Sequence, residues 1–135
     1  MCWRYRKKTV RLAETTNNTV TKLSNKFITW RMRKHVTNAA KEIDSKGLKA
    51  LTLKQAAAVN KNSNLYPAFR GNRIDVKARQ KIGNDIFLKP FKIKSNYTNG
   101  PDFTRGIYWW DMTTKNQWSN HVKKYGPNGT LLNTK

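Results

Sequence analysis

Two aspartates lie nine positions apart in a segment crowded with aromatic residues. The segment runs Gly100-Pro101-Asp102-Phe103, then Trp110-Asp111-Met112-Thr113-Thr114, then Gln117-Trp118, His121 and Lys124-Tyr125-Gly126. The whole chain has only 7 Asp and Glu against 28 Lys and Arg. Acids so scarce are not there to solvate a surface. If Asp102 and Asp111 end two short strands of one hairpin, both carboxylates can reach one divalent cation, since Mg²⁺ typically takes one or two carboxylates plus water and phosphate oxygens. Such a cation activates water and stabilises the leaving oxygen of a phosphodiester. The plainer alternative is that Asp102 caps the turn after Pro101 and Asp111 pairs with a nearby Lys.

Other side chains in reach fit the same chemistry. Thr113 and Lys115 follow Asp111 and can contact a scissile phosphate. Gln117, His121 and Tyr125 share one face of an expected helix, and His121 is the natural proton-transfer group near neutral pH. Asp75 is a candidate third ligand, with Arg70 and Arg73 beside it as phosphate contacts. Asp75 also has Arg79 at i+4, an ordinary stabilising pair. Among the tryptophans an exposed Trp110 can stack on a base. Lys123, Lys124 and the basic residues of 89–94 can track a backbone. Nothing is expected of His35.

These residues need elements to hold them. Residues 1–12 read as a basic arm or edge strand. Residues 13–46 read as helical, with Val20, Leu23, Phe27, Trp30, Val36, Ala40 and Ile43 as its apolar stripe and Gly47 as its stop. A break near Asn17-Asn18 or Thr37-Asn38 is compatible with the local Thr and Asn content. Thr52 and Gln55 form a capping-box pattern that opens a helix through Asn60. Another helix opens at Arg70, buries Ile74, Ala78 and Ile82, and closes at Gly83-Asn84. Residues 86–94 read as a strand interrupted at Pro90. Phe103 belongs to a short strand, 104–106 to a hairpin-like loop, and 107–112 to an aromatic strand. Thr114 is expected to cap a final helix over 115–125, and 130–132 to form a last strand. The layout is α+β: N-terminal helices packed on a small mixed sheet. Residues 1–60 form a basic helical region and 61–135 the core that carries the chemistry.

Net charge is +21, and it is spread evenly. Residues 1–60 hold 14 Lys and Arg against 3 acids, and residues 61–135 hold 14 against 4. An evenly basic domain calls for a polyanion or an acidic protein as partner. Cys2 is the only cysteine, which rules out an intrachain disulfide and a Cys-based zinc site. No apolar run is long enough to span a membrane as a helix. The start of the chain does not read as a signal peptide.

Residues 65–134 resemble the C-terminal toxin domains of bacterial polymorphic toxins, those of contact-dependent inhibition and Rhs-type proteins. The resemblance rests on Phe69-Arg70-Gly71-Asn72-Arg73-Ile74-Asp75, Gly100-Pro101-Asp102-Phe103, Trp110-Asp111-Met112-Thr113-Thr114 with Gln117-Trp118, and His121-Val122-Lys123-Lys124-Tyr125-Gly126. It implies a nuclease secreted as part of a larger bacterial effector and acting in the cytoplasm of a target cell. The implied substrate is RNA, tRNA above all, with DNA as an alternative, and the implied partner is a cognate, acidic immunity protein. The Val-Glu-Asn-Asn boundary of many such toxins does not occur, so the excised toxin or a boundary variant is expected.

The pattern is similar to the restriction-endonuclease-like fold, PD-(D/E)XK, in which an Asp after Pro and a later acidic-x-Lys motif bind metal on adjacent strands. Pro101-Asp102 fits the first part. In the second, Thr113 stands where Lys is expected, and Lys115 lies two positions on. The alternative is the barnase/EndoU/colicin-like ribonuclease fold, which implies metal-independent attack by the RNA 2′-hydroxyl, with His121, Thr113 and Lys115 in the working positions. A third reading is a basic nucleic-acid-binding module without chemistry. It accounts for the charge but not for rare acids beside Trp110 and Gln117.

Overall fold

The computed structural model describes residues 2–135, with side chains described from residue 18 onward. Helix α1 (Cys2–Lys46) runs without a break and takes in the stretch expected to be an arm or strand. Gly47, at φ +56°, ends it, because that backbone region costs a residue with a Cβ but not glycine. Helix α2 (Leu53–Lys61) starts at Thr52. There the Gln55 N–H donates to Thr52 Oγ1 at 3.2 Å, and the Thr52 N–H donates to Gln55 Oε1 at 3.1 Å. Helix α3 (Tyr66–Gly83) begins one turn before the expected Arg70, with Pro67 in its first turn, where no N–H is needed.

The chain divides into two compact units, 1–30 and 31–135. In the first, Ile28 is buried, whereas Val20, Leu23, Phe27 and Trp30 are exposed. The Phe27 and Trp30 rings sit 6.2 Å apart. Farther along α1, in the second unit, the buried stripe is Met32, Val36, Ala39 and Ile43, rather than the stripe read through Ala40. Its spacing is still helical. From α3 come Ile74, Ala78 and Ile82, the face expected of it. Leu51, Val59, Leu88 and the sheet residues Phe103, Trp109, Trp110 and Leu132 are buried as well.

The sheet has four strands in the order β1 (Lys94–Ser95), β2 (Phe103–Arg105), β3 (Tyr108–Thr113) and β4 (Gly129–Asn133). The first three pair antiparallel, and β4 runs parallel to β3. Parallel neighbours need a crossover, and α4 (Trp118–Tyr125) provides it. Helix α4 starts three residues later than expected: 114–117 is a turn, and Gln117 stands at the N-cap with no side-chain bond. Residues 86–93 are not a strand. They form turns and a short 3₁₀ segment with Pro90 in its first turn, and Lys92 follows in the left-handed region. A proline that cannot donate to a ladder is at home there. No helix among the described residues is long and apolar enough to cross a membrane.

Candidate functional site

The β2–β3 hairpin turns on Gly106 and Ile107, with Gly106 at φ +59°. Its register sets Phe103 opposite Trp110, so Asp102 and Asp111 fall opposite each other just past the last pair. The Asp102 N–H donates to Asp111 Oδ1 at 3.0 Å, and the Met112 N–H donates to Asp102 Oδ2 at 2.7 Å. Each carboxylate is thus held by the other residue's strand.

Successive side chains of a strand face opposite sides of the sheet. Trp109, Asp111 and Thr113 therefore share the side that carries α4, where Trp109 meets Trp118 and Tyr125 at ring separations of 5.2 and 5.5 Å. His121, on α4, reaches down from that side, its Nδ1 in a short contact with Asp111 Oδ2. An ionised Asp111 demands a proton on Nδ1 and leaves a lone pair on Nε2. That Nε2 lies 3.5 Å from Thr113 Oγ1, and Tyr125 packs edge-on against the imidazole.

Gly129 makes this aromatic wall possible. A Cβ built there would stand 2.1 Å from Cζ2 of Trp109. The indole lies across the start of β4, donates from Nε1 to the Pro127 carbonyl at 3.0 Å, and leaves no room for any side chain.

On the other flank Arg79 of α3 holds Asp102 Oδ1 through Nη2 and Asp75 Oδ1 through Nε, both in short contacts. Its Nη1 donates to Ser95 Oγ at 2.9 Å, to the Asn96 carbonyl at 2.8 Å and to the Asp102 carbonyl at 3.4 Å. Only 9% of the Arg79 side chain is exposed. A connected line of bonds therefore runs Asp75–Arg79–Asp102–Asp111–His121, with Thr113 at its end.

The electrostatics of the line centre on its two middle acids. Burial first, and then the adjoining Asp111 carboxyl, push Asp102 up to about 7, against the Met112 N–H and the Arg79 guanidinium, which favour its ionised form. Two desolvated carboxyls in contact resist ionising together. A proton or a cation between them relieves this, although each of the four oxygens already faces an N–H or a basic side chain. Among the described residues no three His, Cys, Asp or Glu side chains cluster as a larger metal centre. Two carboxylates remain within the complement that Mg²⁺ uses.

The other expected site residues are placed as follows. Asp75 joins the line only through Arg79. Arg70 is bidentate to Asp44 at 2.6 and 2.8 Å and donates to the Thr134 carbonyl at 3.2 Å, so it ties α3 to α1 and to the chain beyond β4. Arg73 donates to the Ala50 carbonyl at 3.0 Å. Trp110 is 1% exposed and lies in the core, out of reach of a base. Lys115, Lys123 and Lys124 are exposed, with the Lys124 ammonium 5.2 Å from the centre of the Tyr125 ring.

Two features were missed in the sequence. One is the role of Arg79 as the hub of the line; its i+4 spacing to Asp75 was the visible signal. The other is a second buried acid, Asp85, which accepts from Arg31 Nε at 2.6 Å and from the Phe87 N–H at 2.9 Å, with His35 Nε2 at 2.7 Å. Comparison with family models, with curated proteins and with solved structures finds nothing that matches this chain.

Proposed function

We propose that this chain is a nuclease that cuts RNA at the Asp102–Asp111–His121 centre. The observation that carries this reading is the pair of desolvated carboxylates on adjacent strands, joined to a histidine, in a chain of net charge +21. Basic side chains gather the phosphate backbone and make binding salt-dependent. Asp111 fixes the ring of His121 through Nδ1, leaving Nε2 to accept or return a proton at the scissile phosphate. Arg79 keeps Asp102 in place beside Asp111. A divalent cation held by Asp102 and Asp111 would neutralise phosphate charge and acidify a bound water. Delivery into a target cell, tRNA as substrate and an acidic immunity protein follow from the sequence resemblance, and the charge agrees with both polyanionic partners.

A second reading is favoured by the His121–Thr113 approach. Here the same histidine, oriented by Asp111, activates the RNA 2′-hydroxyl without metal. Total bacterial RNA and plasmid DNA incubated with the protein, each in Mg²⁺ and in EDTA, separate the two. Discrete tRNA fragments formed only in Mg²⁺, and lost in folded Asp111→Asn protein, support the carboxylate centre. The same fragments in EDTA, lost in His121→Ala, assign the second reading. A folded Asp111→Asn protein with full activity removes the site. A gel shift with a steep salt slope and intact strands leaves a binding module.

A further inference from the structure

Beside the carboxylate line lies a groove whose wall includes Asp75 and Arg79 of that line. Its two adjoining hollows, about 540 and about 250 Å³, share Arg79, Gly83 and Tyr97 in their walls. Tyr97 is 79% exposed, an unusual place for a large ring. It is nonetheless anchored: the Arg79 guanidinium lies 4.9 Å from its ring centre, and that guanidinium is itself fixed by Asp75, Ser95, Asn96 and Asp102. Lys89 and Lys92 line the smaller hollow, and both are exposed. Neither has a carboxylate partner among the described residues.

We infer that this groove is a subsite for one unpaired nucleotide of the strand being cut, with Tyr97 as the stacking platform for its base and Lys89 and Lys92 as the contacts to its phosphates. An aromatic face backed by a rigid cation is preorganised for a flat ring, and stacking on it is open to any base. Duplex bases are already stacked and cannot enter, so the subsite selects single-stranded or looped nucleic acid. The Arg79 guanidinium touches both the platform and Asp102. A base on Tyr97 therefore brings its neighbouring phosphate toward the carboxylate pair, much as one sugar separates base from phosphate in a nucleotide.

The inference rests on the nuclease reading for why a nucleotide should be there, so the test must read binding apart from cutting. In full-length Asp111→Asn protein, fluorescence anisotropy with labelled unpaired RNA, the matching unpaired DNA and the matching duplex measures affinity. Adding Tyr97→Ala should weaken single-strand binding about tenfold, while Tyr97→Phe leaves it intact. Gly83→Leu is the second variant: a Cβ at Gly83 has nothing within 4 Å, so the backbone admits one, and the new side chain stands in the wall that both hollows share. It should weaken binding in the same way. Duplex binding should be indifferent to all three. Whichever of RNA and DNA shows the Tyr97 effect identifies the strand. Equal affinity for Tyr97→Ala and its parent overturns the subsite even if the wild type cuts RNA. A Tyr97-dependent affinity in a protein whose wild type cuts nothing keeps the subsite and removes the nuclease.

Discussion

Two buried acidic centres in this fold are built from the same kinds of side chain and end in opposite states. Asp85 sits under Arg31 and His35; Asp102 and Asp111 sit between Arg79 and His121. Burial opposes ionisation of Asp85, but the Arg31 and His35 bonds and the Phe87 N–H outweigh it and hold the carboxyl down at about 2. At the other centre burial wins and Asp102 rises to about 7. Burial is the larger cause there, and the second carboxyl adds to it, where Asp85 has only donors around it. One acid among two bases is a clasp joining α1 to the segment after α3. Two acids sharing one histidine and an arginine that also holds Asp75 are under-neutralised, and that deficit invites a proton or a cation.

The sharpest way to break the comparison is to exchange roles. Asp111→Asn should cost at least ~100-fold in RNA cleavage, the scale of a lost acid–base partner, with little change in melting temperature. Asp85→Asn should do the reverse. It should cost about 3 kcal/mol of stability by leaving Arg31 without its acid, while activity measured well below the melting point persists. Urea unfolding of both variants beside the cleavage assay checks the pair.

A smaller effect concerns Gly129. Gly129→Ala should cost about 2 kcal/mol, because Trp109 must move to admit the methyl. It should also disturb His121 through Trp118 and Tyr125, which tryptophan fluorescence and the cleavage rate together would show.

The pH dependence of stability in metal-free buffer sharpens the contrast further. Asp102 has a folded pKa above its ordinary value of 3.8, so its contribution is full below about 4 and is lost as pH rises through about 7. Asp85 has a folded pKa below 3.8, so its contribution is full above about 4 and is lost as pH falls through about 2. Melting temperature should decline on both sides of a maximum between those limits. Asp102→Asn should flatten the neutral limb and Asp85→Asn the acid limb.

The least effect belongs to a control remote from both centres. Thr52→Ala removes the capping box of α2 and should cost about 1 kcal/mol with no change in cleavage or in either pH limb.

Much of this layout was legible where a single local rule decides. The Thr52–Gln55 box, the Gly47 stop and the Ile74–Ala78–Ile82 face needed no tertiary information. A hairpin bringing Asp102 and Asp111 together is legible too, but its loop is Gly106-Ile107 and not 104–106, and this shorter loop is what sets the two acids opposite each other. Where two patterns compete, a local rule does not decide. Along helix α1 the stripe through Val20, Leu23, Phe27 and Trp30 masks the burial of Met32 and Ala39, whereas Val36 and Ile43 are legible. Trp109, Trp110 and Asp111 are all buried, because β3 is covered on both sides, so no alternation marks which tryptophan faces α4. The Asp85 clasp spans 50 and 54 residues to His35 and Arg31, a separation that no local pattern reports.

The parallel pairing of β3 with β4 has a consequence in time. Strand β4 supplies the edge on which Trp109 rests and the far end of the crossover that suspends α4 above Asp111. Arg33 and Arg70 then clasp its closing stretch through the Leu131 and Thr134 carbonyls. During synthesis the aspartates emerge well before this strand does, and pairings between distant segments form late. A growing chain on the ribosome, surrounded by RNA, therefore exposes both acids while the histidine still lacks its mount. The centre is assembled only when residues 129–134 have left the exit tunnel.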